Sequence, residues 1–64
     1  MSINDLERRR DALIAKGQYL ATRKQFWADR NFSNLVKRDQ ELIDQNNEEL
    51  ASIDRRIENE FNFG

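Results

Sequence analysis

Three acidic side chains, Glu41, Asp44 and Glu48, are the chain's nearest approach to a metal site, because their spacing places them on one helical face. Carboxylates bind hard cations such as Ca²⁺. Calcium loops, however, also supply backbone and amide carbonyl oxygens at close spacing, which this segment lacks. The three residues are therefore predicted to form a solvated acidic face, and no metal ligand is predicted.

The residues that carry out most nucleophilic and acid–base catalysis are missing. The chain of 64 residues has no cysteine and no histidine, and it has no glycine-rich phosphate-binding loop. A short helical chain also offers no deep pocket for a substrate. The sequence predicts a protein that is not an enzyme, with no catalytic residue and no cofactor.

Basic residues of the first half give one hypothesis for function, which is binding to nucleic-acid phosphates. Residues 1–38 carry nine basic and four acidic side chains, whereas residues 39–64 carry two and eight. The phosphate-binding residues would be Arg8, Arg9, Lys16 and Arg23. Consecutive helical residues splay around the axis, however, so the run of arginines at 8–10 cannot form one stripe. The acidic second half would also cancel the field. Nucleic acid is therefore the alternative partner, behind protein.

A strip on the first half predicts a protein-binding surface. Its members recur at intervals of three and four and so share one helical face: Ala12, Ala15, Tyr19, Thr22 and Phe26, called here the aromatic strip. A plainer interpretation folds Phe26 over the turn onto Phe32 and leaves Tyr19 as an ordinary surface residue. Because the strip is continuous and one-sided, it is favoured as a docking face with Tyr19 and Phe26 as anchors.

Helices must position these residues, since proline is absent, glycine occurs only at 17 and 64, and good helix formers dominate. Two apolar rows recur every seven residues: Leu6, Leu13, Leu20 and Trp27, then Val36, Ile43, Leu50 and Ile57. In an antiparallel pair they meet as 6 with 57, 13 with 50, 20 with 43 and 27 with 36. Beside them, further apolar residues widen the stripe: Ile14, Ala21, Ala28, Leu35 and Leu42.

These rows predict an all-α fold, an antiparallel two-helix hairpin with coiled-coil-like heptad packing. Helix 1 is expected at about 3–30, the turn at about 31–33 and helix 2 at about 34–60, as a single domain over 1–64. One continuous helix is disfavoured because the first heptad register, carried past residue 30, meets only polar residues. Ser2 with Asp5 resembles a capping box, Asn31 suits a left-handed helix end, and Ser33 or Asn34 is expected to cap helix 2.

Between the apolar layers, the same register predicts four mixed layers. They are Ile3–Glu60, Arg10–Ile53, Gly17–Asn46 and Lys24–Asp39, with Lys24 and Asp39 as an ion pair and Lys16–Glu49 beside the seam. Polar seam residues usually set register at some cost in stability. A hairpin of this size is therefore marginal, and we expect it to be completed by dimerisation into a four-helix bundle or by another protein.

The remaining expectations concern partners and location. No apolar run reaches the length of a membrane span or a signal peptide, so no membrane partner and a cytoplasmic, intracellular location are expected. Phe61 and Phe63 form a second candidate hook, although Phe61 is expected to cover the open end of the hairpin. The favoured function is a non-catalytic interaction module, acting as an inhibitor, an adaptor or a small subunit of an assembly.

Overall fold

The computed structural model describes residues 2–61 and contains two helices, α1 (Ile3–Asp29) and α2 (Ser33–Phe61). They pack side by side as a hairpin about 52 Å long and 15 Å wide, and no strand occurs between residues 2 and 61. The predicted all-helical hairpin is confirmed. The turn occupies residues 30–32, one residue earlier than expected, and α2 extends one residue further at each end.

Helix α1 begins as the sequence predicts. The Ser2 hydroxyl oxygen accepts a hydrogen bond from the backbone N–H of Asp5 at 3.3 Å and donates to the Asp5 carboxylate at 3.1 Å. This arrangement satisfies one of the N–H groups that have no partner inside the helix, and it places a negative charge near the positive end of the helix dipole.

The turn is a Schellman motif, which explains its position. Asn31 has a φ of 61°, the left-handed conformation expected for it. The N–H of Phe32 donates to the carbonyl of Trp27 at 3.0 Å, and the N–H of Asn31 donates to that of Ala28 at 3.1 Å. The rings of Trp27 and Phe32 pack edge to face with centroids 5.8 Å apart, the apolar contact that often accompanies this motif.

The start of α2 differs from the prediction. Neither Ser33 nor Asn34 precedes the helix, because Ser33 is already its first residue. The carbonyl of Phe32 accepts the first helical hydrogen bonds, from Leu35 at 3.1 Å and from Val36 at 3.0 Å. The Schellman motif ends at Phe32, so α2 starts directly behind it.

The apolar core lies toward the open end of the hairpin. Leu6 and Leu13 of α1 pack with Ile53 and Ile57 of α2, and Ile3 and Leu50 border this cluster. Leu20 is also buried, so three of the four residues in the first predicted row lie in the interior. Phe61 does not cover this end, since its side chain is 72% exposed. Phe63 lies outside the described residues.

The second predicted row does not follow the most buried line of α2. Val36, Ile43 and Leu50 are only half-buried, while Asp39 and Asn46 are 2% and 4% exposed. The line of greatest burial therefore runs through positions 39, 46 and 53, which were expected to be the weaker layers. This rotation of α2 leaves one flank of its apolar row uncovered.

Asn46 forms the predicted layer with Gly17. Its side-chain amide donates to the Leu13 carbonyl at 2.8 Å, and a Cβ on Gly17 would lie only 2.9 Å from that amide nitrogen. Glycine is needed here because the two helices approach closely around a buried polar side chain. The Oδ1 atom of Asn46 has no hydrogen-bond partner within the described chain.

Two predicted ion pairs have different partners in the structure. Asp39 is bound by Arg23 rather than Lys24, and Lys24 donates to the side-chain carbonyl of Gln40. Glu49 lies 3.8 Å from Arg9, an exposed contact, rather than pairing with Lys16. Asp39 lies in the seam as predicted, but the guanidinium of Arg23, one position before Lys24, reaches both of its carboxylate oxygens.

Neither helix contains an apolar stretch of the length that a membrane crossing requires, over the residues that the structure describes.

Candidate protein-binding surface

The aromatic strip lies on the side of α1 that faces away from α2. All five of its residues are exposed, with Tyr19 62% and Phe26 45% accessible. Thr22 contributes its methyl group to the strip, because its hydroxyl donates to the Gln18 carbonyl at 3.0 Å. The structure thus places the predicted docking residues together on one accessible helical face.

Two arginines at the border between this face and the seam alternate with the two aromatic rings along α1. The sequence Tyr19, Arg23, Phe26, Arg30 has intervals of four, three and four, which is one helical stripe. The Arg23 guanidinium lies 5.4 Å from the centroid of the Tyr19 ring, and that of Arg30 lies 3.6 Å from the centroid of Phe26. Arg30 also donates to the Phe26 carbonyl at 3.3 Å. Cation–π stacking therefore restricts the rotamers of both aromatic anchors.

Phe26 is linked to the turn through Trp27. Its ring packs edge to face on Trp27 with centroids 5.1 Å apart, and Trp27 in turn packs on Phe32. This arrangement lies between the two interpretations of the sequence. Phe26 takes part in the aromatic cluster at the turn, yet nearly half of its surface stays accessible.

Arg23 connects the strip to the interior of the hairpin. Its Nε and Nη2 atoms donate to the two carboxylate oxygens of Asp39 at 2.9 and 2.7 Å, a bidentate geometry. These bonds hold the pKa of Asp39 below its ordinary value, against the opposing effect of desolvation, and they raise the pKa of Arg23. The guanidinium beside Tyr19 is thus fixed by a buried charge.

This connection was absent from the sequence-based prediction. Asp39 was assigned to Lys24, the neighbour of Arg23, because heptad positions were treated as facing pairs. The longer planar guanidinium is better suited than an ammonium group to a bidentate contact with a carboxylate, and this residue preference was the available signal.

The basic residues proposed for nucleic acid do not form one continuous free surface. Arg23 is bound to Asp39, and Arg9 lies 3.8 Å from the Glu49 carboxylate. Arg8 and Lys16 are exposed and lie only about 80° apart around the α1 axis, so the carboxylates beside the other two residues, rather than helix geometry, interrupt this surface.

The three carboxylates of the acidic face on α2 do not converge on one point. The carboxylate of Asp44 accepts a hydrogen bond from the Gln40 amide at 2.8 Å, and Glu41 and Glu48 are exposed. Between residues 2 and 61, no three side chains of the metal-ligating types come together as a group.

Comparison with known proteins identifies no relative of this chain. No family model, curated protein or solved structure matches the chain.

Proposed function

We propose that the protein is a non-catalytic interaction module, an inhibitor, an adaptor or a small subunit, that docks onto another protein through the aromatic strip on α1. The observation that carries the proposal is the accessibility of Tyr19 and Phe26 on a face of α1 that α2 does not cover. Tyrosine and arginine are enriched among the residues that dominate binding energy at protein interfaces.

The stacked arginines support the same conclusion. A side chain that is already held in one rotamer loses less entropy when a partner covers it. Tyr19 beside Arg23 and Phe26 beside Arg30 are held in this way, and the Arg23 guanidinium is fixed further by Asp39. The strip therefore suits a partner with an apolar groove rimmed by acceptor groups, such as carboxylates or backbone carbonyls, which would receive the arginine N–H groups.

Protein is favoured over nucleic acid as the partner because carboxylates lie beside two of the four basic residues proposed for phosphate contact. Arg9 and Arg23 lie next to Glu49 and Asp39. A phosphate would have to compete with these carboxylates, and the energy gained per contact would be small.

Two finer features of the fold belong to this proposal. The spacing of the buried positions, Leu6, Leu13 and Leu20 in α1 with Asp39, Asn46 and Ile53 in α2, supports coiled-coil-like heptad packing. The half-buried row on α2 supports packing of an additional polypeptide chain against the hairpin, either a second copy or another protein.

The test is affinity purification of the tagged protein from cells of its native host, followed by mass spectrometry. Substituting Ala15→Arg places a long charged side chain in the strip, and Tyr19→Ala with Phe26→Ala removes both anchors. We expect both variants to lose the proteins that the wild type captures.

The matched control is Ala21→Arg, since Ala21 is another exposed alanine of α1 but lies on a different face. This variant is expected to keep the captured proteins. Retention of every partner by the Tyr19→Ala/Phe26→Ala protein would exclude the strip as the docking surface.

A further inference from the structure

A second accessible apolar surface runs along one side of the seam between the helices. It consists of a row on α1 and a row on α2, each at intervals of seven: Ile14, Ala21 and Ala28, then Val36, Ile43 and Leu50, called here the seam face. Ile14 is 43% exposed, the two alanines are exposed, and the three residues of α2 are half-buried. An apolar row that the hairpin covers on one flank only is available to another chain.

The opposite side of the seam differs in character. Its depressions are lined mainly by charged groups, with some uncharged side chains among them: Arg9, Arg23, Arg38, Asp39, Glu49 and Arg56, with Trp27, Leu35, Ser52 and Ile53. Charged groups thus recur along this flank, so the seam face is the better surface for packing against another helical layer.

The closed end of the seam face contains a concavity with basic walls. It has a volume of about 620 Å³ and lies between Lys24 and Ala28 of α1 and Val36, Lys37 and Gln40 of α2. Among the described residues that line it, two are lysines and none is acidic. An acidic group or an exposed apolar side chain would complement this end.

The open end of the same face carries such groups. Glu7 precedes Ile14 by seven residues, so it continues the α1 row. Asp54 and Phe61 follow Gln40 by fourteen and twenty-one residues, so they continue the flank of α2 that borders the concavity. Asp54 is exposed, and Phe61 has most of its surface accessible. One molecule thus has two lysines and a concavity at one end, and two acidic groups, Arg10 and an accessible aromatic ring at the other.

We propose that the seam face binds a second copy of this chain in antiparallel orientation, forming a dimeric four-helix bundle. The two-fold axis passes near the layer of Gly17 and Asn46. A closed symmetric interface requires that the surface on one side of the axis complement the surface on the other side. The basic concavity at the closed end of the seam face and the acidic groups with Phe61 at its open end meet this requirement.

The axial positions agree with this symmetry. Lys37 is nine residues from Asn46 and Asp54 is eight residues away on the other side, which correspond to about 14 and 12 Å at the helical rise of 1.5 Å. Rotation about the axis therefore brings Lys37 of each copy level with Asp54 of the other. Glu7 lies ten residues from Gly17, about 15 Å, and adds a second acidic group at that level.

Phe61 reaches the concavity in the same arrangement. It lies fifteen residues from Asn46, about 22 Å along the axis, and its side chain leans toward the start of α2. Ser33 and Val36, which line the concavity, lie about 20 and 15 Å from the same layer on the other side. The Phe61 ring of one copy would thus cover the apolar floor formed by Ala28 and Val36 of the other.

This dimer goes beyond the docking function and does not depend on it, because the aromatic strip lies on a different face of α1. Sedimentation equilibrium of the purified full chain, from micromolar to near-millimolar concentration, gives the first test. We expect the wild type and Ala15→Arg to form dimers and Ala21→Arg to remain monomeric. A wild type that stays monomeric throughout, or an Ala21→Arg variant that dimerises equally well, would overturn the proposal.

The two alanine variants also separate the two proposals. Ala15→Arg is expected to lose captured partners and keep the dimer, and Ala21→Arg is expected to lose the dimer and keep the partners. A wild type without a dimer that still captures partners through the strip refutes the seam face alone.

A charge exchange tests the antiparallel orientation. Lys37→Glu or Asp54→Lys places like charges together twice in each symmetric dimer, so we expect each variant alone to dimerise about tenfold more weakly. An equimolar mixture restores opposite charges at both contacts, so heterodimers of wild-type affinity are expected. Both positions are exposed, and circular dichroism provides the check that helix content is unchanged. A mixture no more associated than its components excludes this orientation.

Discussion

Replacing Gly17 by alanine is expected to destabilise the hairpin, although alanine is the better helix former. In an ordinary helix interior, Gly→Ala stabilises by about 1 kcal/mol. Here the new Cβ would lie 2.9 Å from the amide nitrogen of Asn46, so the amide must move. The Asn46 side chain is almost fully buried and is held by its 2.8 Å bond to the Leu13 carbonyl. Disrupting a buried hydrogen bond and leaving its donor unsatisfied costs about 1–3 kcal/mol.

The two contributions give a net loss of about 1 kcal/mol for Gly17→Ala, since the cost of about 2 kcal/mol exceeds the gain of about 1. In a protein that already carries Asn46→Ala, the obstructing side chain is gone and only the gain remains. The same glycine substitution is then expected to stabilise by about 1 kcal/mol, so the coupling between the two sites is about 2 kcal/mol.

Urea unfolding of the wild type, the two single variants and the double variant measures this coupling. Circular dichroism is recorded at one fixed protein concentration, because self-association shifts apparent stability. Asn47→Ala serves as the control background, since Asn47 is exposed on the next position of α2. If Gly17→Ala stabilises the wild type and the Asn46→Ala protein equally, the two residues are not in contact and the helix register is wrong.

Three further predictions concern the turn and the buried ion pair. Asn31→Ala is expected to lower the free energy of unfolding by about 1 kcal/mol because alanine disfavours the left-handed conformation, whereas Asn31→Gly keeps or raises it; equal urea midpoints for the two variants would contradict the Schellman turn. Arg23→Leu is expected to lower the melting temperature far more than Lys24→Leu, because only the former leaves a buried carboxylate unpaired; equal shifts in thermal unfolding would restore Lys24 as the partner. The bond from Arg23 lowers the pKa of Asp39 in the folded state, so its contribution is complete above the unfolded-state pKa of about 4 and is lost as pH falls through the lower folded-state value. Urea midpoints measured between neutral pH and pH 2 are therefore expected to fall more steeply for the wild type than for Asp39→Asn, and parallel profiles would refute this assignment.

Local chemistry determines the helical conformation and the caps of α1, so both could be predicted from the sequence. The layer of Gly17 with Asn46 could also be predicted, because it depends only on the positions of the two residues along the helix axes. A seven-residue interval fixes how far along the seam a residue lies. It does not fix the rotation of the helix about its own axis, which depends on how all the side chains pack. The bidentate pair of Arg23 with Asp39 favours a rotation that buries two polar residues, so Val36, Ile43 and Leu50 were wrongly expected at the centre.

The candidate site was predictable to a similar degree. Exposure of Tyr19 and Phe26 follows from their position opposite the seam, which periodicity defines. The stacking of Arg23 and Arg30 on these rings depends on rotamers, which spacing alone leaves open. The heptad pattern already places Ile14, Ala21 and Ala28 beside the seam, but the exposure of the α2 row next to them depends on the rotation of α2, so the complete seam face could only be identified from the packed hairpin.

The Schellman turn has a consequence for how the chain reaches its fold. Closing a loop costs more entropy as the separation of its ends grows, so contacts near the turn form at the lowest cost. Trp27 and Phe32 are five residues apart and Arg23 and Asp39 sixteen, whereas Leu6 and Ile57 are separated by fifty-one. Stopped-flow kinetics are expected to show Trp27→Ala slowing refolding and Ile57→Ala accelerating unfolding, and the reverse pattern would contradict this order. The charged pair next to the turn is thus expected to set the alignment of the two helices before the distant core residues meet, so a chain misaligned by one helical turn is disfavoured while little of it has folded.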